Sequence, residues 1–492
     1  MNREIVIALD QGSSSSRALA IDSRGEVLAK AQFPIKTYYP QAGYVEHDAL
    51  DIALTQEKAL QAVLAKIPKS DNILGLGLAC QRSTVIFWDR ETGKPAARAP
   101  SWQDGRAAMV AMALQDHRME AYESTGLYLM PYYSAPKIRW FIDNVPPVRK
   151  LLDQGRLLVG PVSSFLIWRL TRGAVFAADP SLAQRMMLFS LRSMDWDDPL
   201  LKIFSLPRHI LPQIKPSCGL WGSFKAKGRV ISILACLGDQ QAAAIGLGGM
   251  EAGSSVLNYG TGAFFLHNTG TKQQRIPGLL TSIGWQISGQ APYFLQEGTV
   301  HAAGSSFEWL RENLGLLKKI NDVEKHCRAS KERVLALPAI GGLGAPRWDY
   351  AAKTVFFGLN SQTKASDLVR GVVESIAFLI SDIVNAMRAG GLSPAHVSVS
   401  GGLSRIPYLM QFQSDILRQD LRRCEETEAT ALGAASLAVE GAGASWAGNL
   451  HKTKIDKIFK PAMEAAQAER LISAWTTFVA AQASLSRKIK LS

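Results

Sequence analysis

Residues 4–17 read Glu4-Ile-Val-Ile-Ala-Leu-Asp-Gln-Gly-Ser-Ser-Ser-Ser-Arg17, and this stretch decides the fold. The apolar run from Ile5 to Leu9 has the length of a strand that is buried on both faces. It ends in Asp10, a glycine and four serines, whose amides and hydroxyls can surround anionic oxygens without adding bulk. Asp10 would then hold a divalent metal. An ordinary polar hairpin turn before a second strand at residues 18–22 explains the same residues. Other parts of the sequence must therefore distinguish a phosphate and metal site from a simple turn.

The length and composition predict a globular protein of several domains. A chain of 492 residues exceeds what one hydrophobic core usually serves, so we expect two or three domains. No apolar run approaches the roughly 20 residues of a membrane span, and the N-terminus lacks the pattern of a secretory signal. These patterns predict a cytoplasmic protein with no membrane partner. The five cysteines are widely scattered without metal-ligand spacing, which favours reduced thiols over disulfides or a zinc site.

The formal net charge of +13 raises the question of a nucleic-acid partner. The 55 basic residues are distributed along the chain among 42 acids, which is typical of a solvated surface. The densest basic stretch, residues 451–460, alternates with apolar residues as an exposed edge strand does. A mildly positive cleft for anionic nucleotides is a further explanation. We therefore expect no nucleic-acid partner.

Two further strands end in candidate ligand residues. An apolar strand through Leu237 runs into Gly238-Asp-Gln-Gln241, and a helix is predicted to open at residues 242–244. An acid at 239 lies against the positive end of that helix and can accept a hydroxyl proton during phosphoryl transfer. A simple N-cap aspartate is the alternative interpretation. The strand Ile73–Ala79 likewise delivers Arg82 and Ser83 to a strand end, where ligand residues are common.

The strand–turn–strand pattern of residues 4–22 occurs again about halfway along the chain. Residues 255–268 read as a strand, the small turn Gly260-Thr-Gly262 and a second strand. Two such turns indicate a duplicated fold with nucleotide phosphates clamped between the copies. Glycines at 304 and 401–402 permit close backbone approach to a nucleotide, although each is a weak signal alone.

The chain resembles the FGGY family of carbohydrate kinases, and within it the glycerol-kinase branch. The matching segments are spread over nearly the whole chain in family order, which makes the resemblance specific. They are Ala8–Arg17, Val45–Asp48, Glu91–Pro95, Tyr132–Asn144, Gly238–Gln241, Tyr259–Gly262, Leu343–Pro346, Met410–Leu417 and Thr430–Ala435.

The resemblance implies an α/β fold of two actin-like (ribonuclease-H-like) domains, 1–248 and 249–492, with the active site in the cleft between them. The first domain would hold the substrate pocket and the base, and the second would bind the nucleotide. The implied activity is ATP-dependent phosphorylation of a hydroxyl of glycerol or a related polyol or sugar, with Mg²⁺ and in a homo-oligomer, a dimer or tetramer. The alternatives are a kinase of a larger polyol or ketose of four to five carbons or more, and a catalytically weak sugar- or nucleotide-binding sensor.

The same resemblance implies the site residues, position by position. Asp239 would be the base and Asp10 the metal ligand. The polyol pocket would be formed by Arg82, Ser83, Trp102, Tyr132, Asp239, Gln240 and Phe264. The phosphates and the rest of the nucleotide would be bound by Ser13, Ser14, Ser15, Arg17, Thr261, Gly262, Gly304, Glu308, Gly402 and Ile406.

Four positions depart from the glycerol-kinase pattern. Ser83 stands where that pattern has a polyol-binding glutamate, so this departure bears on which substrate binds. The other three bear on how tightly ATP is held. Glu308 replaces a glutamine, Ile406 replaces an asparagine near the adenine, and Ser400 replaces an aspartate before Gly-Gly. Asp10, Asp239 and Thr261 match the pattern, so we expect the transfer machinery to be intact.

Overall fold

The computed structural model describes residues 3–425, 428–451 and 453–489, and the chain forms two compact units. Unit 1 contains the described residues of the ranges 1–246, 281–294 and 428–452. Unit 2 contains those of the ranges 247–280, 295–427 and 453–492. The C-terminal half of the chain therefore contributes two segments to unit 1.

Twelve strands of the two main sheets and the principal helices are numbered in chain order. The strands are β1 (Glu4–Gln11), β2 (Ser15–Asp22), β3 (Val27–Pro34), β4 (Asn72–Cys80), β5 (Cys218–Ala226), β6 (Arg229–Gly238), β7 (Ser255–Tyr259), β8 (Ala263–Gly270), β9 (Phe294–Val300), β10 (Val397–Gly401), β11 (Leu421–Cys424) and β12 (Ile455–Phe459). The helices are α1 (Ala49–Leu64), α2 (Ser134–Asn144), α3 (Asp239–Gly246), α4 (Gly304–Glu312), α5 (Ala365–Ala389), α6 (Pro407–Leu417), α7 (Ala429–Gly441) and α8 (Ala465–Lys488).

Shorter elements connect these. The short strands are Thr37–Tyr38, Glu46–His47, Val85–Asp89, Ala99–Pro100, Leu157–Pro161, Ala177–Ala178, Phe189–Ser190, Asp195–Trp196, Gln213–Ile214, Leu280–Ile283, Leu335–Leu337 and Val355–Phe357. The short helices are Ala108–Ala113, Gln115–His117, Arg118–Thr125, Pro146–Asp153, Val162–Leu170, Pro180–Gln184, Asp198–Ile203, Arg208–Ile210, Ile320–Asp322, Val323–Ala329, Gly402–Arg405 and Ala447–Asn449.

The main sheet of unit 1 has the strand order β5-β6-β4-β1-β2-β3. The first hairpin, β1 and β2, is antiparallel, while β4 runs parallel to both β1 and β6. The side chains of Ile5 to Leu9 are at most 1% exposed. The predicted strand that is buried on both faces is therefore confirmed.

Three parallel strands of this sheet end at the same level. Gln11 at the end of β1 lies opposite Cys80 in β4, and Cys80 lies opposite Gly238 at the end of β6. The residues that follow these strand ends therefore gather at one edge of the sheet, the usual place for ligands in an α/β fold. These are the three strand ends after which the sequence predicts ligand residues.

Two helix starts in unit 1 bear on the site. Asp48 is the N-cap of α1, because its side chain accepts hydrogen bonds from the amides of Leu50 and Asp51. The helix after β6 begins at Asp239, earlier than the predicted 242–244. Strand β6 passes into α3 without a connecting loop, so Asp239 is the first helical residue.

Helix α7 packs very closely against α3 and β4 within unit 1. A Cβ atom built on Gly433 would lie 1.8 Å from the carbonyl oxygen of Ala242, and one built on Gly77 would lie 2.1 Å from that of Ala434. Such an approach of backbones needs glycine, which has no Cβ atom. Helix α7 therefore holds in place the helix that begins at Asp239.

Unit 2 repeats the strand–turn–strand arrangement, as predicted. Six strands of a seven-stranded sheet run in the order β9-β8-β7-β10-β11-β12, with β7 antiparallel to β8 and parallel to β10. Tyr259 at the end of β7 lies opposite Gly401 at the end of β10. The edge strand β12 has Ile455 to Ile458 exposed, which confirms the predicted exposed edge in the basic stretch.

Two features predicted from composition can also be checked in the described residues. The five cysteines are all free and buried, so the prediction of reduced thiols is confirmed. None of the described helices combines the length and the apolar character that crossing a membrane requires.

Candidate active site

The turn between β1 and β2 presents two of its serines to solvent. The amide of Gly12 donates a 3.0 Å hydrogen bond to the carbonyl oxygen of Ser15, which closes the turn. Ser13 is half-buried and Ser14 exposed. The hydroxyl of Ser15 is buried and accepts a 3.0 Å hydrogen bond from the side chain of Gln32. The hydroxyls of Ser13 and Ser14 are therefore the accessible ones of this turn.

Asp10 and Arg17 face each other across this hairpin. Nη1 of Arg17 lies 3.8 Å from Oδ2 of Asp10 and 3.6 Å from Oε2 of Glu428, which also forms an ion pair with Lys30. The pKa of Asp10 is raised to about 7, chiefly by burial; the carboxylates of Asp239 and Glu428 contribute to the rise, while Arg17 and Lys30 oppose it. The surroundings of this carboxylate would therefore favour an added cation.

Asp239 lies where β6 becomes α3. Its Oδ1 atom accepts a 2.7 Å hydrogen bond from the amide of Gln240 and lies 3.7 Å from Nε of Arg82. The side chain of Asp239 is 25% exposed and that of Arg82 is 10% exposed. The amide of Gly238 donates to the hydroxyl of Ser181 at 2.9 Å and so fixes the residue before Asp239. A carboxylate that is oriented by an arginine and open to solvent can accept a proton from a bound hydroxyl.

The other predicted polyol residues of unit 1 lie on neighbouring segments. Ser83 has a backbone φ of 63°, and its hydroxyl donates a long hydrogen bond, 3.5 Å, to the carbonyl oxygen of Arg185. Trp102 and Tyr132 are 38% and 37% exposed, which is high for aromatic side chains. Oε1 of Gln240 is buried and has no hydrogen-bond partner in the described part of the chain. Such an acceptor suits a hydroxyl of a bound ligand.

In unit 2 the turn after β7 is tied to the start of α4. The carbonyl oxygen of Thr261 accepts hydrogen bonds of 3.1 Å from the amides of Ala303 and Ser305. The amide of Gly304 donates to Gly260, and a Cβ atom at Gly304 would lie 2.5 Å from the oxygen of Gly260. Gly262 closes the turn, since its carbonyl oxygen accepts from the amide of residue 260 at 2.8 Å.

The remaining predicted residues of unit 2 are spread over three elements. Phe264 is half-buried in β8, and Glu308 is exposed on α4. Gly402 follows β10 and has open space where a side chain would stand. Ile406, 8% exposed, immediately precedes α6. The hydroxyl of Ser400 donates to Oδ1 of Asn258 at 3.3 Å.

Several residues that the sequence reasoning missed support the site in unit 1. Gln81 donates to the carbonyl oxygen of Gly12 at 3.1 Å and accepts from the hydroxyl of Thr84 at 2.7 Å. Glu428 pairs with Arg17, and Lys137 bonds the carbonyl of Ser83. Of these residues, only Lys137 had a recognisable signal in the sequence, because it is a lysine on an apolar helix face.

Comparisons with known proteins find relatives over nearly the whole chain. The chain matches the model described as FGGY family of carbohydrate kinases, N-terminal domain, over residues 5–246, and the corresponding C-terminal domain over residues 255–442. Glycerol kinase of Shewanella baltica (strain OS223) is 39% identical over 492 residues, which cover 98% of this chain and 99% of the relative. The crystal structure of Plasmodium falciparum glycerol kinase with ADP has a TM-score of 0.91 and 29% identity, with 98% of each chain covered. Gluconate kinase from Lactobacillus acidophilus has the same fold, with a TM-score of 0.89 at 19% identity and coverage of 99% and 100%.

Proposed function

We propose that this chain, which belongs to the FGGY family of carbohydrate kinases, transfers the terminal phosphoryl group of ATP to a hydroxyl of glycerol or of a closely related polyol. The family makes the chain an ATP-dependent kinase. The choice of glycerol is supported by the 39% identity to a glycerol kinase over almost the whole length. The observation that carries the proposal is the position of Asp239, whose carboxylate lies 3.7 Å from Arg82 at the edge where β1, β4 and β6 end.

In the proposed reaction, Asp239 accepts the proton of the substrate hydroxyl as its oxygen attacks the terminal phosphorus. Arg82 orients the carboxylate and donates to substrate hydroxyls, while the unpartnered Oε1 of Gln240 accepts from one of them. Trp102 and Tyr132 offer exposed ring surface to the carbon skeleton. A base that is held in this way usually contributes about 10²- to 10⁴-fold to the rate.

Each unit, taken by itself, contains candidate ligands of the nucleotide. In unit 1, Arg17 and the accessible hydroxyls of Ser13 and Ser14 bind anionic oxygens. Ser15 supports these two serines, because its carbonyl oxygen closes the turn that carries them. In unit 2, the backbone at Thr261 and Gly262 binds phosphate. Gly304, Glu308, Gly402 and Ile406 line the rest of the nucleotide.

The residues around Asp10 fit a magnesium ion. The carboxylate is buried and has a raised pKa, and the neighbouring Asp239 and Glu428 add negative charge. Mg²⁺ usually binds through one or two protein carboxylates together with substrate phosphates and water. We propose Asp10 as the protein ligand. When bound, the ion would neutralise charge on the phosphate oxygens during transfer.

A second candidate substrate is a larger polyol or ketose, of four to five carbons or more. Ser83 favours it, because this short side chain stands where the glycerol-kinase pattern has a glutamate. The hydroxyl of Ser83 is directed to the carbonyl oxygen of Arg185, so it does not replace the charge of a carboxylate. The loss of a long acidic side chain leaves room for a further carbon and its hydroxyl.

An assay of ADP release with purified protein, ATP and Mg²⁺ tests the proposal. The panel contains glycerol, four- and five-carbon polyols, and ketoses, with a sample without acceptor to measure hydrolysis by water. We expect at least one of these polyols or ketoses to raise ADP release well above that background. If no member of the panel raises ADP release above the sample without acceptor, the proposed function is contradicted.

A further inference from the structure

Lys137 is a fully buried lysine in the first half of α2. Its amine donates two hydrogen bonds of 2.8 Å, one to the carbonyl oxygen of Ser83 and one to that of Ser101. Both acceptors are main-chain groups, and they belong to separate segments of the chain. The amine therefore joins these two segments.

Each of the two segments carries proposed polyol contacts. Ser83 follows Arg82, and Ser101 directly precedes Trp102. The amide of Trp102 donates to the hydroxyl of Thr84 at 3.1 Å, which connects the same two segments a second time. Because Lys137 is fully buried, it acts on the polyol contacts from the protein interior.

The backbone of Ser83 needs such support. Its φ of 63° lies in the left-handed region, which residues other than glycine adopt rarely and only when their surroundings enforce it. The carbonyl oxygen of Ser83 accepts from Lys137 at 2.8 Å and from the hydroxyl of Ser134 at 3.3 Å. Removing these donors would let the peptide relax and would move the side chain of Ser83.

The charge state of the amine fits this role. Burial lowers the pKa of Lys137 to about 7, Asp104 opposes the shift, and Arg106 adds to it. Asp104 is itself paired with Arg106 through a 2.7 Å ion pair. The shift favours the neutral form of the amine, whose two N–H groups match the two carbonyl oxygens that accept from it.

We propose that Lys137 is a positioning residue of the polyol pocket, which sets the placement of Ser83 and Trp102 by joining the carbonyl groups of Ser83 and Ser101. This inference rests on the proposed function, in which Ser83 and Trp102 contact the substrate. A lysine with a purely structural role would lower stability when replaced but would not act selectively on polyol binding.

The kinetic test compares Lys137→Met with the wild type and with Thr171→Val. The control removes a buried hydroxyl whose hydrogen bonds all lie within residues 167–175. With the best acceptor found in the panel, we expect Lys137→Met to raise the KM for that acceptor by about 10-fold or more, because two carbonyl groups lose their donor. The KM for ATP should stay within about 2-fold, and Thr171→Val should change neither value. Lys137→Gln, which keeps a neutral N–H₂ group, should recover part of the loss.

A second readout does not depend on turnover. The chain has 11 tryptophans, and in protein labelled with 5-fluorotryptophan the resonance of Trp102 is identified by its absence in Trp102→Phe. We expect the fluorine signal of Trp102 to shift or broaden in Lys137→Met and to stay unchanged in Thr171→Val. If Lys137→Met does not fold, Ser134→Ala, which removes only the longer bond to Ser83, should raise the acceptor KM in the same direction by a smaller factor.

The two readouts separate the inference from the function on which it rests. A wild type that no acceptor activates would contradict the proposed function, and the fluorine signal would still test the placement of Trp102. An unchanged Trp102 signal in Lys137→Met, or equal changes in the KM values for acceptor and ATP, would overturn the role of Lys137.

Discussion

Nε1 of Trp102 donates a 2.9 Å hydrogen bond to the hydroxyl of Ser13. One of these residues is a proposed polyol contact and the other a proposed phosphate contact, so the bond connects the two halves of the proposed reaction within unit 1. Gln81 makes a second connection, since it donates to the carbonyl oxygen of Gly12 in the same turn.

This bond should appear as an energetic coupling between the two side chains. Trp102→Phe keeps an aromatic ring but removes the donor, and Ser13→Ala removes the acceptor. A hydrogen bond of this kind contributes about 0.5–1.5 kcal/mol, so each variant should lower kcat/KM for the acceptor by about 2- to 10-fold. The double variant should lose little more than either single variant. Fully additive losses in this cycle would show that the bond does not contribute to catalysis.

Ser83→Glu should shift the preference among acceptors toward glycerol. A hydrogen bond to a charged group contributes about 1.5–3 kcal/mol, so the missing carboxylate should weaken glycerol binding by roughly 10- to 150-fold. The variant should raise kcat/KM for glycerol and lower it for four- and five-carbon substrates. If the wild type already prefers glycerol and the variant leaves that preference unchanged, residue 83 does not determine selectivity.

Gly433→Ala should disturb the helix that begins at Asp239. The new methyl group would lie 1.8 Å from the oxygen of Ala242, so α3 or α7 must shift. Overpacking of this kind costs about 1–3 kcal/mol in the free energy of unfolding. We also expect a lower kcat, because the shift reaches Asp239. Gly448→Ala is the matched control, since a Cβ atom there meets no atom closer than 4.0 Å. Equal stability and kcat for both variants would contradict the supporting role of α7.

The local features of the site could be read from the sequence. The strand, the small polar turn and the second strand around Asp10 follow from an apolar run and from residues that favour turns, and both signals lie within a few positions. The strand before Asp239 was found in the same way. The start of α3 was placed late, because no turn residue marks the direct passage from strand to helix at Asp239.

The contacts between distant segments could not be read in this way. Helix α7 belongs to unit 1 although the chain has passed through unit 2, and its fit to α3 depends on which backbone faces Gly433. The partners of Lys137 are main-chain carbonyls, which any residue type provides. The residue types at 83 and 101 therefore gave no indication that one lysine bonds both carbonyl groups.

The buried amine of Lys137 should make stability depend on pH. Its pKa is about 7 in the folded chain, below the ordinary value of 10.5, so between these values the unfolded state binds more protons. The free energy of unfolding of the wild type, relative to that of Lys137→Met, should therefore rise from pH 7 to pH 10. Urea unfolding at each pH measures this difference. Thr171→Val removes no titratable group, so its difference from the wild type in the free energy of unfolding should not change with pH. If the difference between the wild type and Lys137→Met does not change with pH either, a buried amine that loses its charge is contradicted.

The most direct test of the account is the kcat of Asp239→Asn in the ADP-release assay, at saturating ATP and acceptor. The substitution keeps the size of the side chain but removes its ability to take a proton, so kcat should fall by roughly 10²- to 10⁴-fold with little change in acceptor binding. An Asp239→Asn protein that keeps more than about a tenth of the wild-type kcat, with the chemical step rate-limiting, would contradict the assignment of Asp239 as the base.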